Sequence, residues 1–201
     1  MVEINTIKKF TQEEIFQIAR LHSRNIKSGF LSSLGENFLT IMYESIQTKG
    51  ILIGVKRNNE IIGFVSGVTD LNSVYIEFVR KKILKIIIIL FPKIFSILVF
   101  KNLIELALYP FRKGSKKVSL PQAELLSIVV HENHRGTGIA DALYQKLIEE
   151  FKVNKIKAFK IIVGGALIPA QKFYEKKGAS KSESINIHKG DNSWVYIHQI
   201  L

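Results

Sequence analysis

The run Ile128-Val129-Val130-His131-Glu132-Asn133-His134-Arg135-Gly136-Thr137-Gly138-Ile139-Ala140 constrains this chain more than any other. An apolar segment stops, a short polar turn follows, and two glycines one residue apart lead into a helical pattern. Ile139, Leu143, Leu147 and Phe151 then recur every four residues, as on the core-facing stripe of a helix ending near Lys152. The spacing predicts a strand, a tight loop and a helix N-terminus. Such a loop offers a row of backbone N–H groups at the positive end of the helix dipole, which suits a phosphate or pyrophosphate. It is not a nucleoside-triphosphate P-loop, because Gly-Lys-Ser/Thr is missing. It also lacks the three-glycine dinucleotide fingerprint. Taken alone, Gly136 and Gly138 could serve only to permit the turn.

Before this run the pattern is regular. Val2 to Ile7 alternates as a strand does. Thr11-Gln12-Glu13-Glu14 forms a capping box, and Ile15, Ile18, Ala19 and His22 share the helical face that follows. Ser33-Leu34-Gly35-Glu36 repeats the signature ahead of a second helix striped by Leu34, Phe38, Ile41, Met42 and Ser45 and ending near Lys49-Gly50. His22 reads as a packed surface histidine, because no other histidine or acid lies near it at metal-ligand spacing. Ile51–Val55 and Ile61–Val68 read as a hairpin turning at Arg57-Asn58-Asn59-Glu60.

Residues 71–117 are the unusual segment. Ile83 to Phe91 is apolar nearly all round, Pro92 interrupts, and Ile94 to Tyr109 is again largely apolar. Lys85, Pro92, Lys93 and Lys101 punctuate the run, so it lacks the ~20 uninterrupted apolar residues of a spanning helix. The expected arrangement is two helices packed on the domain and joined near Pro92. The four consecutive isoleucines have poor helix propensity and allow an extended stretch instead. Residues 109–115 read as a loop.

After the glycine loop, Ala158 to Val163 reads as a strand broken by Gly164-Gly165. A short helix follows from about Pro169, carrying Ala170, Phe173 and Tyr174, with Gly178 as its stop. Ser182–His188 and Ser193–Ile200 read as two strands joined at Lys189-Gly190-Asp191-Asn192. This order gives an α+β fold: a mixed, mainly antiparallel seven-stranded sheet flanked by helices, with a helical apolar insert between the third and fourth strands. The 201 residues are expected to form one domain.

Charge and composition narrow the partners. The formal net charge is +12, and it is concentrated. Arg80, Lys81, Lys82, Lys85, Lys93, Lys101, Arg112, Lys113, Lys116 and Lys117 face a single acid, Glu105, between residues 80 and 117. The simplest account is a solubilising fringe; an anionic substrate or membrane surface are sharper ones. Nucleic acid is not expected, because the positives flank aliphatic runs and are not interleaved with aromatics. The absence of cysteine removes disulfides, thiolate zinc sites and a cysteine nucleophile. No secretory signal pattern begins the sequence, so the cytosol is the expected location.

Two motifs carry a family resemblance. Arg135-x-x-Gly138-x-Ala140 resembles the Arg/Gln-x-x-Gly-x-Gly/Ala motif of the GNAT superfamily of N-acetyltransferases. Ala170-Gln171-Lys172-Phe173-Tyr174-Glu175-Lys176-Lys177-Gly178 is similar to that superfamily's second signature, and the order of elements fits outside 71–117. The resemblance implies acetyl-CoA as co-substrate and no metal. Its pyrophosphate would lie on the amides of Arg135, Gly136, Thr137, Gly138, Ile139 and Ala140. Its pantetheine arm would run along Ile128, Val129 and Val130, beside Ala170 and Phe173, where a β-bulge splays the fourth strand from the fifth. An N–H near Val130 would face the thioester carbonyl.

By the same resemblance Tyr174 protonates the departing thiolate, and Glu124, counting back from Arg135, takes the proton of the acceptor amine. His131, His134 or a chain of waters are alternatives for the base. Leu167 stands where the family often has asparagine, and Ala179 where it often has an aromatic. The implied activity is direct acetyl transfer to a primary amine, of a small molecule such as an amino sugar. The alternatives are transfer to a protein or peptide, or a non-enzymatic module docking to a membrane surface or a partner. Homodimerisation is compatible with each.

Overall fold

The computed structural model describes residues 6–26, 30–94, 120–188 and 191–200. In chain order the elements are β1 (Thr6–Ile7), α1 (Gln12–Asn25), α2 (Phe30–Ser33), α3 (Glu36–Lys49), β2 (Ile51–Arg57), β3 (Glu60–Val68) and α4 (Leu71–Ile94). There follow β4 (Glu124–Val130), α5 (Ile139–Val153), β5 (Ala158–Gly164), α6 (Ile168–Lys176), β6 (Ser180–His188) and β7 (Asp191–Gln199). One sheet runs β1-β2-β3-β4-β5-β7-β6. β1 contributes only two residues at its edge, so six long strands carry the sheet. Every neighbouring pair is antiparallel except β4 and β5, which are parallel and joined through α5.

Each face of the sheet is covered because each carries an apolar set. Against α5 and α6 pack Ile53, Val65, Leu125, Phe159 and Ile161, meeting the helical stripe Ile139, Leu143, Leu147 and Phe151. Against α1 and α3 pack Leu52, Phe64, Val68 and Val129, meeting Ile15, Ile18, Leu39, Tyr43 and Ile46. At Gly67 the contact is close: a Cβ there would come within 2.9 Å of Leu147 Cδ1 and 3.1 Å of Phe151 Cζ. The missing side chain lets α5 lie directly on β3.

The α1 start forms as its sequence requires. Thr11 accepts from Glu14 N, and Glu14 Oε2 accepts from Thr11 N at 2.8 Å. The second helix departs from expectation. It begins at Glu36 behind Gly35, whose φ of 93° only glycine adopts readily, and no side chain caps it. Ser33 and Leu34 lie before it, Ser33 ending the short α2.

His22 is also a correction: it is not at the surface but 3% exposed, and its Nδ1 lies 2.6 Å from the Tyr43 hydroxyl. Burial pushes its pKa down from 6.5 to about 4, so the ring is neutral. The hydroxyls of Ser66 on β3 and Ser127 on β4 approach the same tyrosine oxygen.

The insert is a correction as well. α4 runs without interruption from Leu71 to Ile94, through all four isoleucines and past Pro92. Tertiary burial outweighs propensity here: Ile86 packs with Leu34, Phe38 and Ile41, and Lys82 bonds Glu44 at 2.7 Å. Pro92 falls in the last turn of α4, where its missing N–H costs one helical bond. The expected second helix at 94–109, the loop at 109–115, residues 1–5 of the first strand and Lys189-Gly190 of the last turn lie outside the described residues. No helix among the described residues is long and apolar enough to cross a membrane.

Candidate active site

The site begins with a fault in one strand. β3 pairs with β4 at Ser66↔Ser127 and again at Gly67↔Leu125, so Leu126 is an extra residue in β4. A bulge of this kind bends the strand that carries it. On its other side β4 pairs with β5 only at Glu124↔Lys160 and Leu125↔Ile161. Beyond Leu125 the two parallel strands part, and from the bulge to Val130 the β4 backbone has no strand beside it on that flank. The result is a wedge in the middle of the sheet, with backbone donors and acceptors along one wall.

At the wide end of the wedge β4 runs into the glycine loop. A 3-10 turn, Glu132–His134, is closed by His134 N to His131 O at 2.8 Å. Gly136 and Gly138 have φ of 76° and 85°, and a Cβ at either would meet nothing within 4 Å. Open space therefore lies in front of both. Gly138 is the N-cap of α5 and makes no side-chain cap bond. The first N–H groups of the helix are left for an incoming acceptor oxygen. Thr137 does not supply that cap, since its hydroxyl donates back to His134 O at 2.7 Å. The acid in the first turn, Asp141, is bound by Lys177 from the end of α6, which offsets its charge near the cradle. These features fit a pyrophosphate: uncapped donors, a positive helix end and room for the group.

The opposite wall is α6. Its position is fixed by Gln171, which donates to Gly164 O at 3.2 Å and Gly165 O at 2.9 Å and so satisfies the end of β5. The Tyr196 hydroxyl donates to Glu175 Oε1 at 2.9 Å, tying β7 to the same helix. Tyr174 is held among Tyr144, Phe173 and Tyr196 with ring centroids 5.4 to 6.5 Å away. Burial pushes its pKa well above the ordinary tyrosine value, so the phenol stays protonated.

Glu124 lies at the narrow end of the wedge, where β4 and β5 are still paired. It is 5% exposed, and burial raises its pKa while Lys160 opposes the rise. Lys160 Nζ sits 3.4 Å from Oε2 but donates to Pro121 O at 3.0 Å. Glu124 Oε2 is buried without a hydrogen bond.

The groove between these walls, about 270 Å³, is lined by Ile128, Val129, Val130, Arg135, Ala140, Ala170, Phe173 and Tyr174. Sequence reasoning pointed to all of these. Gly136, Thr137, Gly138 and Ile139 form the adjoining loop and helix start, and Ile139 is turned into the core. Glu124 is not part of the lining. Asn25 and Ile26, from the end of α1, are, and nothing in the sequence flagged them. Asn25 Oδ1 accepts from Arg135 Nη2, and Arg135 Nε reaches Val130 O at 3.4 Å. Leu167, in place of the family's asparagine, is the N-cap of α6 and makes no cap bond. No cluster of metal-ligating side chains occurs among the described residues.

A sheet wedged open by a bulge, with an uncapped helix end at its mouth, offers one long ligand both a free backbone edge and a cradle for negative charge. Residues 92–179 match the acetyltransferase (GNAT) family. No curated protein matches the sequence.

Solved structures match it by fold. A protein of Desulfovibrio desulfuricans assigned to the GNAT family aligns at 11% identity and a TM-score of 0.65, over 98% of this chain and 99% of that one. An N-acetyltransferase from Staphylococcus aureus Mu50 aligns at 14% identity and a TM-score of 0.62, over 98% and 99%. The yncA protein of Salmonella typhimurium, solved with its cofactor acetyl-CoA, aligns at 10% identity and a TM-score of 0.61, over 98% and 94%.

Proposed function

We propose that this protein is an N-acetyltransferase that moves the acetyl group of acetyl-CoA to the primary amine of a small molecule by direct transfer. The observation that carries the reading is the convergence of three features on one groove: the unpaired edge of β4, the uncapped start of α5, and Tyr174. Acetyl-CoA supplies an activated acyl group; the amine nitrogen bonds the carbonyl carbon as the C–S bond breaks. The loop Arg135–Ala140 holds the pyrophosphate, and β4 from Ile128 to Val130 holds the pantetheine arm as an added strand. Tyr174, protonated at every physiological pH, gives its proton to the departing sulfur. Glu124, at the narrow end of the wedge and outside the groove lining, takes the proton of the amine through intervening water; a buried carboxylate with a raised pKa and an unsatisfied oxygen supports that role. The chain's positive charge, +12 overall, supports an acceptor that itself bears negative charge, such as an amino sugar on a phosphate carrier.

The test is calorimetric titration with CoA and acetyl-CoA, followed by thiol release from acetyl-CoA against a panel of small amines and peptides. The expected result is binding of both cofactor forms and turnover with small amines. Binding without turnover on any amine, or turnover on peptide N-termini only, sinks the acceptor assignment; absence of binding sinks the whole reading.

A further inference from the structure

Among the described residues, α4 packs on α3 through one face. Ile86 is buried with Leu34, Phe38 and Ile41, Lys82 is drawn to Glu44, and Phe78 meets Phe38 edge-on at 5.4 Å. Residues 76, 80, 84 and 88 fall on the other face, one turn apart. Leu84 is 74% exposed, Ile88 72% and Ile76 50%, and they are the only large hydrophobics on that helix exposed to this degree among the described residues. Between them stand Arg80 and Lys85, both exposed. The stripe contains no acid. Glu77, the one acid of the helix, is buried on the inner side.

A water-facing helix surface ordinarily carries charged and polar groups, and single exposed apolar residues are unremarkable. Here three aliphatics stand among cations along one line, and the stripe itself carries no anion among the described residues. The sequence that follows extends the bias: Lys93, Lys101, Arg112, Lys113, Lys116 and Lys117 against Glu105 alone. Aliphatic side chains flanked by unopposed cations fit a surface that is apolar below and anionic above. That is the boundary of a bilayer containing acidic lipids. A helix lying flat in that boundary needs a stripe of this kind, not a spanning length, and α4 does not have the latter. We infer that the outer face of α4, through Ile76, Arg80, Leu84, Lys85 and Ile88, docks the protein to an anionic lipid surface.

The native chain has no cysteine, so Leu84→Cys provides a single labelling position on an exposed side chain. Labelled with an environment-sensitive fluorophore, the full-length protein is titrated with phosphatidylcholine vesicles and with vesicles that also contain phosphatidylglycerol. The expected result is a water-like spectrum without lipid, a blue shift with the anionic vesicles and little change with the neutral ones. Salt of about 0.5 M reverses the shift, because the Debye length falls below the reach of the cations. In co-sedimentation, Arg80→Gln and Lys85→Gln each lower the partition coefficient about fivefold. The double variant Leu84→Ser/Ile88→Ser lowers it about tenfold or more. Its melting temperature stays unchanged, which separates lost docking from lost fold.

A blue-shifted spectrum before lipid is added means that this chain or a second copy covers the stripe, and overturns the inference. So does equal binding to both vesicle types, or sedimentation indifferent to the serine variant. None of these outcomes bears on acetyl-CoA binding in the groove.

Discussion

Arg135 Nη2 donates to Asn25 Oδ1 at 2.6 Å, across the mouth of the groove. The bond joins the glycine loop to the last residue of α1, from the opposite side of the groove. Asn25 is itself fixed, since its Nδ2 donates to Leu21 O at 2.8 Å. The loop conformation and the end of α1 are therefore set together. Asn25→Ala is expected to weaken CoA binding about fivefold, the worth of one partly exposed hydrogen bond to a charged group at about 1 kcal/mol. Calorimetric titration of the variant measures it, and a melting temperature within a few degrees of the parent shows that the effect is local.

Tyr174 offers a test of the chemistry. Tyr174→Phe keeps the ring contacts with Tyr144 and Phe173 and removes the phenolic proton. For a general acid the expected loss in kcat is roughly 10² to 10⁴, with the Kd for acetyl-CoA unchanged. A kcat within threefold of the parent, once an acceptor is in hand, would remove Tyr174 from the mechanism.

Glu124 makes a different prediction because its carboxyl is held above its ordinary pKa. As the base it should give kcat/KM an acid limb displaced upward from the usual carboxylate range. Glu124→Gln is expected to erase that limb and to lower kcat by roughly two orders of magnitude or more. If the limb survives in the variant, another group is the base. The sign of the stability effect is also fixed. A folded-state pKa above the unfolded one favours the fold at low pH and is lost as pH rises through the folded value. Above the folded value the glutamine variant therefore escapes a desolvation cost but leaves Lys160 with only the Pro121 carbonyl.

Burial of neutral His22 weakens the fold in acid. Its folded pKa, about 4, lies below the unfolded 6.5. The contribution of the neutral ring is fully present above pH 6.5 and is lost as pH falls through the folded value. Across that interval the loss amounts to roughly 3 kcal/mol. Denaturant midpoints measured from pH 7 down to pH 4 should show this decline. His22→Gln should flatten it while lowering the midpoint at pH 7, since the Tyr43 hydroxyl loses one of its partners.

The packing of α5 on the sheet is tested at Gly67. Gly67→Ala puts a methyl 2.9 Å from Leu147 Cδ1 and 3.2 Å from Glu124 O, and the backbone oxygen cannot rotate away. Overpacking of this kind costs about 1 to 3 kcal/mol. Chemical denaturation reads the loss directly. CoA affinity should fall too, since α5 carries the cradle.

Much of the site was legible because it is local. A strand, two glycines and a helical stripe occupy neighbouring positions in the sequence, and each needs particular residues for stated physical reasons. The capping box at Thr11 and the stripe from Ile139 to Phe151 were readable on the same terms. What was not legible depends on contacts between distant segments. His22 has no sequence signal that distinguishes a buried ring from a surface one; Tyr43 decides it from α3. Asn25 reaches the groove only because the end of α1 is packed beside Arg135. The isoleucines of α4 have weak helix propensity, and the side chains of α3 that override it lie more than thirty residues earlier. Gly35 displaced Ser33 as the cap because its positive φ turns the chain where a serine could not.

The extra residue at Leu126 has one more consequence. Side chains along a strand alternate between faces, and a bulge absorbs one added residue so that the alternation resumes in register beyond it. On β4, Ile128 and Val130 face the groove side with α5, whereas Val129 joins the core under α1 and α3. Without Leu126, Ser127 would follow Leu125 directly, still opposite Ser66, and Ile128, Val129 and Val130 would keep their β3 partners and their faces. A deletion of one codon there would remove the bend that parts β4 from β5 while leaving every side chain of the wall on the side it now occupies.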